Sequence, residues 1–270
     1  MIHDCSSCPE RAGLAQMGLD VGRWDHLVAL AGNPNTGKSS VFNALTGLKQ
    51  HTGNWPGKTV TRAEGGYKFE GRSYKLVDLP GTYSLLSASQ DEEVARDFIL
   101  FGQPDCTVVV TDATCLERNL NLALQVLEIS DKVVVAVNLM DEARRKGIHV
   151  DVKSLSRDLG VPVVPTVART GEGLGNLTRT IADVIDGKVR LSPHRVRGNG
   201  DFQRAVDELL PLIDGVAPGL PNARWVAMRL LDGDHRVRQA LLSGELKEVV
   251  ERQRAEAARP AQLVALGGVR

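Results

Sequence analysis

The stretch Gly32–Asn33–Pro34–Asn35–Thr36–Gly37–Lys38–Ser39 leaves this chain few folds to choose from. It follows an apolar run from His26 to Ala31 and leads into Val41, Phe42, Ala44 and Leu45 at helical spacing. Strand, glycine-bounded loop and helix is the setting in which G-x-x-x-x-G-K-[ST] holds phosphate. The two glycines let backbone N–H groups turn inward around phosphate oxygens, and the helix N-terminus adds positive potential. Lys38 is placed to reach the β- and γ-phosphates and the Ser39 hydroxyl to ligate magnesium. Asn33, Pro34, Asn35, Thr36, Gly37 and Ser40 complete the expected cradle. A chance match in a glycine-containing loop is the bland alternative, and the flanking strand and helix patterns argue against it.

A chain of 270 residues has room for one α/β domain and a smaller one. Its 42% hydrophobic and 24% charged residues are ordinary for a globular protein. The net charge of +0 argues against a nucleic-acid partner held by bulk electrostatics. No run reaches the ~18 apolar residues of a membrane span, and the N-terminus carries no signal-peptide core, so a soluble, cytosolic fragment is expected. The cysteines, Cys5, Cys8, Cys106 and Cys115, are too few for a disulfide scaffold and read as reduced thiols. His3, Cys5 and Cys8 have the beginnings of metal-ligand spacing, but no second cysteine or histidine pair is near.

Residues 1–24 lack apolar periodicity and are expected to form a flexible extension. The glycine-, asparagine- and proline-rich segment from Gln50 to Thr59 reads as a loop, long enough to be functional. A hairpin is expected next, with Thr59–Phe69 and Tyr74–Val77 paired around Glu70–Gly71. Helical patterns at Gln90–Leu100, Leu116–Ile129, Val152–Leu159 and Leu174–Ile185 then alternate with apolar strands at Cys106–Thr111, Lys132–Val137 and Pro162–Val167. Such alternation predicts a mostly parallel six-stranded sheet covered on both faces, over residues 25–190. Pro193, Gly198 and Gly200 mark a linker, after which strand signals stop. Residues 191–270 are expected to form a small all-helical domain with a C-terminal tail.

Three more signals follow the phosphate loop in the order a guanine-nucleotide switch needs. Asp78, in Asp78–Leu79–Pro80–Gly81, ends a strand where a carboxylate can hold magnesium, and Gly81 lets its N–H approach a γ-phosphate. Asn138 and Asp141, in Asn138–Leu139–Met140–Asp141, follow a strand where a carboxylate can accept from the N1–H and amine of guanine, which adenine does not offer. Val167–Ala168–Arg169 would pack around the base, with the Ala168 N–H near its carbonyl. Thr59 is the candidate second magnesium ligand, engaged only with a γ-phosphate present; a threonine beginning a strand is the simpler alternative. Together these predict a P-loop GTPase domain binding GTP or GDP with magnesium.

These motifs, with Gly53–Asn54–Trp55–Pro56–Gly57 and Tyr83–Ser84–Leu85, resemble the cytosolic N-terminal region of ferrous iron transport protein B, FeoB. Arg224–Trp225 and Leu230–Leu231–Asp232–Gly233–Asp234 are similar to that family's helical domain. The resemblance implies a GTPase switch that regulates ferrous iron uptake, a membrane permease region in the same full-length protein, and possible small accessory iron-transport partners. It also implies a location at the cytoplasmic face of the bacterial inner membrane, and a helical domain that stabilises bound GDP. Lys58 departs from the family, which more often has an apolar residue before the threonine.

Thr82 stands where Ras-type enzymes carry a water-orienting glutamine and is too short for that task. Asn35 resembles the asparagine that binds potassium in cation-activated GTPases, where the ion acts as an arginine finger does. Backbone carbonyls near Asn54 and Trp55 would complete such a site, and intrinsic turnover is expected to be slow and potassium-stimulated. An Asx-type bond stabilising the loop is the alternative role for Asn35. Three other readings stay open on sequence: an Era-like GTPase of ribosome or RNA maturation, a nucleotide-binding module whose turnover is incidental, and an ATP-binding P-loop protein, which Asn138 and Asp141 disfavour.

Overall fold

The computed structural model describes residues 17, 19, 24–48, 50–86, 89–195 and 198–257. The chain divides into two compact units, 1–198 and 199–270. The extension's His3, Cys5 and Cys8, and the tail beyond 257, lie outside the described residues.

The first unit is built on a sheet with strand order β2-β3-β4-β1-β5-β6-β7. The strands are β1 (His26–Gly32), β2 (Gln50–Asn54), β3 (Thr61–Phe69), β4 (Arg72–Asp78), β5 (Cys106–Asp112), β6 (Val133–Asn138) and β7 (Val163–Pro165). The parallel strands β4-β1-β5-β6-β7 form the body, and β2 and β3 extend it antiparallel. Among the described residues the sheet therefore has seven strands, one more than expected. The extra one is Gln50–Asn54, part of the segment that reads as a loop: its polar Gln-His-Thr-Gly-Asn sequence pairs on one side only, with β3. An exposed edge strand needs no apolar alternation, so the pattern that announces a buried strand is missing.

Strands β1, β5 and β6 are buried along almost their whole length, as strands covered on both faces must be. The helices of this unit are α1 (Lys38–Thr46), α2 (Gln90–Asp97), α3 (Leu116–Ile129), α4 (Met140–Arg145), α5 (Val152–Leu159) and α6 (Leu174–Ile185). Val28, Leu30, Phe42, Val108, Val110 and Val134 meet Leu177 and Ile181 of α6 in one core. Helix α2 runs into a π-helical turn at Phe98–Gly102, every residue of which is buried. Cys106 is buried and free, its thiol pushed up by burial, while Cys115 is free and exposed. Residues 191–195 stay on this unit: the Ser192 N–H donates to Gly160 O (2.9 Å) and His194 N–H to Leu159 O (2.9 Å).

The second unit contains α7 (Gly200–Val216), α8 (Ala223–Leu231), α9 (His235–Ser243) and α10 (Glu245–Ala257). Asn199 and Asp234 cap α7 and α9 with side-chain oxygens, satisfying N–H groups that a helix start leaves unpaired. Trp225, Val226, Val237, Ala240, Leu246 and Val249 are buried in it. Among the described residues no helix is long and apolar enough to cross a membrane.

Candidate functional site

The site lies at the C-terminal end of β1, where the strand order reverses: the chain leaves β1 toward β4 on one side and later returns to β5 on the other, opening a crevice of the kind that holds ligands in open α/β sheets. The segments that follow β1, β4, β6 and β7 meet there. The first, Asn33–Gly37, joins β1 to α1. A β-carbon at Gly32 would stand 2.7 Å from Val110 O, so only glycine lets the loop leave the sheet. Gly37 has φ +79°, and a β-carbon on it would meet Asn138 Nδ2 at 2.3 Å. The Thr36 hydroxyl donates to Asn33 O (2.9 Å), closing the loop on itself. Asn35 also has a left-handed backbone, with φ +66°, and is exposed. Ser39 and Ser40 are exposed at the start of α1, while Pro34 is half-buried.

Asn138 binds the loops to one another. Its Nδ2 donates to Thr36 O (3.0 Å), and its Oδ1 accepts from the Ala168 N–H (3.0 Å) and the Thr166 hydroxyl (3.3 Å). Its amide is thus committed to protein groups on both sides. Thr166 is a contributor the sequence did not single out, for no motif marks it. The neighbouring Asp141 carboxylate, a quarter exposed, is left at the crevice edge, 3.2 Å from the Arg169 guanidinium. Met140 donates its N–H to Thr166 O (3.3 Å), and Val167 donates to Glu172 O (2.9 Å), turning the chain so that Ala168 is buried beside Asn138.

On the other side of the loop, Lys38 is buried, and its ammonium donates to the Asp78 carboxylate and to Leu79 O (2.6 Å). Burial pushes the Asp78 carboxyl up, against the Lys38 charge that holds it down. Gly81 packs on Pro34, where a β-carbon would lie 3.5 Å away. Thr82 donates its N–H to Gly32 O (3.2 Å), and its hydroxyl donates to Ser84 O (2.7 Å). Asn33 is 1% exposed, and neither its amide oxygen nor its amide nitrogen has a hydrogen-bond partner.

Two predicted residues stand apart from this cluster. Thr59 is exposed, donates to Gln90 Oε1 (3.3 Å), and lines a cavity of about 510 Å³ with Pro80, Gly81, Gln90 and Asp91. The Trp55 side chain is buried between Phe98 and the Arg62 guanidinium, each 5.5 Å from its ring. Lys58, which departs from the family pattern, is paired with Glu93. Among the described residues no group of His, Cys, Asp and Glu could hold a metal by itself. A hard cation here would depend on the oxygens of Ser39, Asp78 and Thr59 together with a ligand's own.

The family model for ferrous iron transport protein B matches residues 26–181, and the model for the FeoB cytosolic helical domain matches 199–262. The chain belongs to the ferrous iron transport protein B family. It is 40% identical over 217 residues to the Fe(2+) transporter FeoB of Salmonella typhimurium, covering 77% of this chain and 27% of that protein. The chain therefore spans about a quarter of the length of the FeoB relatives it matches. The cytosolic domain of the T. maritima FeoB iron transporter in a GDP form has a TM-score of 0.73 at 35% identity, covering 87% of this chain and 96% of that one. The separate T. maritima FeoB G domain has a TM-score of 0.56 at 46% identity, covering 59% and 98%. The match of 199–262 to the FeoB helical domain leaves the Era-like alternative without support.

Proposed function

We propose that this chain is a magnesium-dependent GTPase switch controlling ferrous iron passage through a permease region that follows it in the full-length protein, at the cytoplasmic face of the bacterial inner membrane. What carries the reading is the Asn138 amide, which ties Thr36 of the phosphate loop to Ala168 of the base loop and leaves the Asp141 carboxylate at the pocket edge. That arrangement fixes the distance between a phosphate cradle and a carboxylate that can accept two hydrogen bonds from guanine. The GDP-bound relative and family membership point the same way.

Lys38 would leave Asp78 for phosphate oxygens, and the unpartnered Asn33 amide supports a pocket that a ligand and loop closure complete. The freed Asp78 carboxylate, the Ser39 hydroxyl and, once recruited, Thr59 are hard oxygen donors that suit magnesium. Magnesium, when bound, would neutralise charge on the β- and γ-phosphates. The Gly81 N–H would face the γ-phosphate. Thr82, its hydroxyl committed to Ser84, does not orient water in this reading. Val167, Ala168, Met140 and Arg169 would enclose the base, with Arg169 released from Asp141. That pair is exposed on the arginine side and costs little to break.

Competition titration with GTP, ATP and xanthosine triphosphate tests the reading. Asp141→Asn should weaken GTP binding about 10- to 100-fold, the loss of a charge-assisted hydrogen bond, and shift preference toward xanthine, whose oxygen meets the new amide donor. Equal affinity of the native chain for ATP and GTP would refute it.

A further inference from the structure

The segment between β2 and β3 is held against α2 by side chains from consecutive positions. Lys58 Nζ lies 2.5 Å from Glu93 Oε2, and the Thr59 hydroxyl donates to Gln90 Oε1 at 3.3 Å. Gln90 and Glu93 are three residues apart, hence neighbours on one face of the helix. Beyond them the π-helical turn carries Phe98 to the Trp55 indole, edge-on with centroids 5.5 Å apart. The segment is also closed on itself: Lys58 N–H donates to Trp55 O (3.0 Å) and Trp55 N–H to Val60 O (2.9 Å). Trp55, Lys58 and Thr59 therefore belong to one small turn, and moving the Thr59 backbone away from α2 moves Lys58 with it.

We propose that Lys58 and Glu93 form a charge latch that holds Thr59 on α2, so that GTP must open the latch to recruit Thr59 while GDP does not. The two are positioning residues acting through Thr59. The proposal rests on reading Thr59 as the threonine that engages when a γ-phosphate is present. Its strength suits a switch: both side chains are 31% exposed, and such a pair shifts an equilibrium only about two- to fivefold. A much stronger pair would lock the segment; none at all would leave its resting position to Trp55 and the single Thr59–Gln90 hydrogen bond. By linkage, a ligand that binds latched and unlatched forms equally is insensitive to the latch, and one that needs the unlatched form loses affinity by the latch constant.

The test is a charge-swap cycle on the intact chain: Lys58→Glu, Glu93→Lys, the double swap, and the neutral Lys58→Met and Glu93→Gln. Dissociation constants are measured with magnesium for fluorescent GDP and for a fluorescent non-hydrolysable GTP analogue. Each neutral variant should bind the analogue about two- to fivefold more tightly with GDP affinity unchanged, which also shows that the variant is folded. The single reversals, which set like charges opposite each other, should exceed the neutral variants, and the double swap should return toward the native ratio. Added salt should narrow the gap between native and neutral chains. Single variants that leave the analogue-to-GDP ratio unchanged, strictly additive swaps, or equal shifts for both nucleotides would overturn the latch. Thr59→Ala separates the two readings. A tenfold or greater loss of analogue affinity with a flat charge-swap cycle sinks the latch alone; no loss sinks the switch role of Thr59 itself.

Discussion

Asn35 keeps a left-handed backbone, φ +66°, in which an L-residue loses roughly 1–2 kcal/mol. Asparagine usually offsets that with a bond from its own side chain to nearby backbone, but here the side chain is exposed and makes no hydrogen bond among the described residues. We propose that this side chain serves an ion bound with the nucleotide rather than the loop-stabilising bond the sequence left open. Potassium, when bound there, would supply the positive charge that Thr82 and the rest of the loop do not. Steady-state turnover of GTP in matched potassium and sodium chloride should differ by about tenfold or more. The sodium rate should approach the roughly 10⁻⁴ to 10⁻³ per second of an unassisted Ras-type enzyme. Asn35→Ala and Asn35→Asp should erase the difference and keep GDP affinity. Equal native rates in both salts would refute the ion role. At this scale the sequence names residues well and partners poorly: Asn138 stands out by its motif, yet its bond to Thr36, 102 positions away, depends on how β1 and β6 are placed.

Elements that bury an apolar face were legible because burial writes a period into the sequence: Leu174–Ile185 and Val152–Leu159 form over the ranges their patterns predict. Those resting on polar contacts were not. Strand β2 is an exposed edge, and α4, Met140–Arg145, is too short to show a stripe. A tie between the sheet and the last helix of its unit was equally silent. Arg72 of β4 makes a two-bond pair with Asp186, the C-cap of α6, at 2.5 and 3.0 Å. The Arg72 hydrogen bonds hold the Asp186 carboxyl well below the usual carboxylate range. Because its folded value is depressed, the stabilisation is complete above the ordinary carboxylate pKa, near 4, and fades as pH falls below that toward the folded value. Asp186→Asn should therefore lower Tm at pH 7 by about 2–4 °C, on the order of 1 kcal/mol for a bidentate, partly buried pair. The deficit should shrink as unfolding is followed at progressively lower pH. A deficit of the same size at pH 3 as at pH 7 would assign the effect to packing.

For the whole molecule, glycine and proline cluster where periodicity changes, but the break falls after Gly198, eight residues past the boundary expected at 190, because 191–195 stay bonded to Leu159 and Gly160; the role of the helical unit beyond it was not legible. The motif Leu230–Leu231–Asp232–Gly233–Asp234 resolves into a helix corner: Asp234 caps α9 through the Arg236 and Val237 N–H groups, and Arg229 pairs with Asp232 (2.8 Å) and Asp234 (3.2 Å). Gly233 makes the turn at φ +73°. Nearby, Arg236 forms a two-bond pair with Glu245, both bonds 2.7 Å. These charges are consumed inside the unit and none of them is left to act on a phosphate. We propose that it acts instead on how long the nucleotide stays bound, as a coupling of about 1–3 kcal/mol, which corresponds to roughly 5- to 150-fold in affinity. A chain ending at Gly198 keeps the sheet, the loops of the site and the segment 191–195 that is hydrogen-bonded to Leu159 and Gly160 at the end of α5. Its GDP dissociation, followed by displacement of a fluorescent analogue, should be about fivefold or more faster. Single-turnover GTP cleavage should stay within severalfold of the full chain, since every proposed ligand of the phosphates precedes residue 190. A folded truncation, verified by its GDP binding and cooperative unfolding, that loses single-turnover cleavage would show that the helical unit supplies a group to the chemistry.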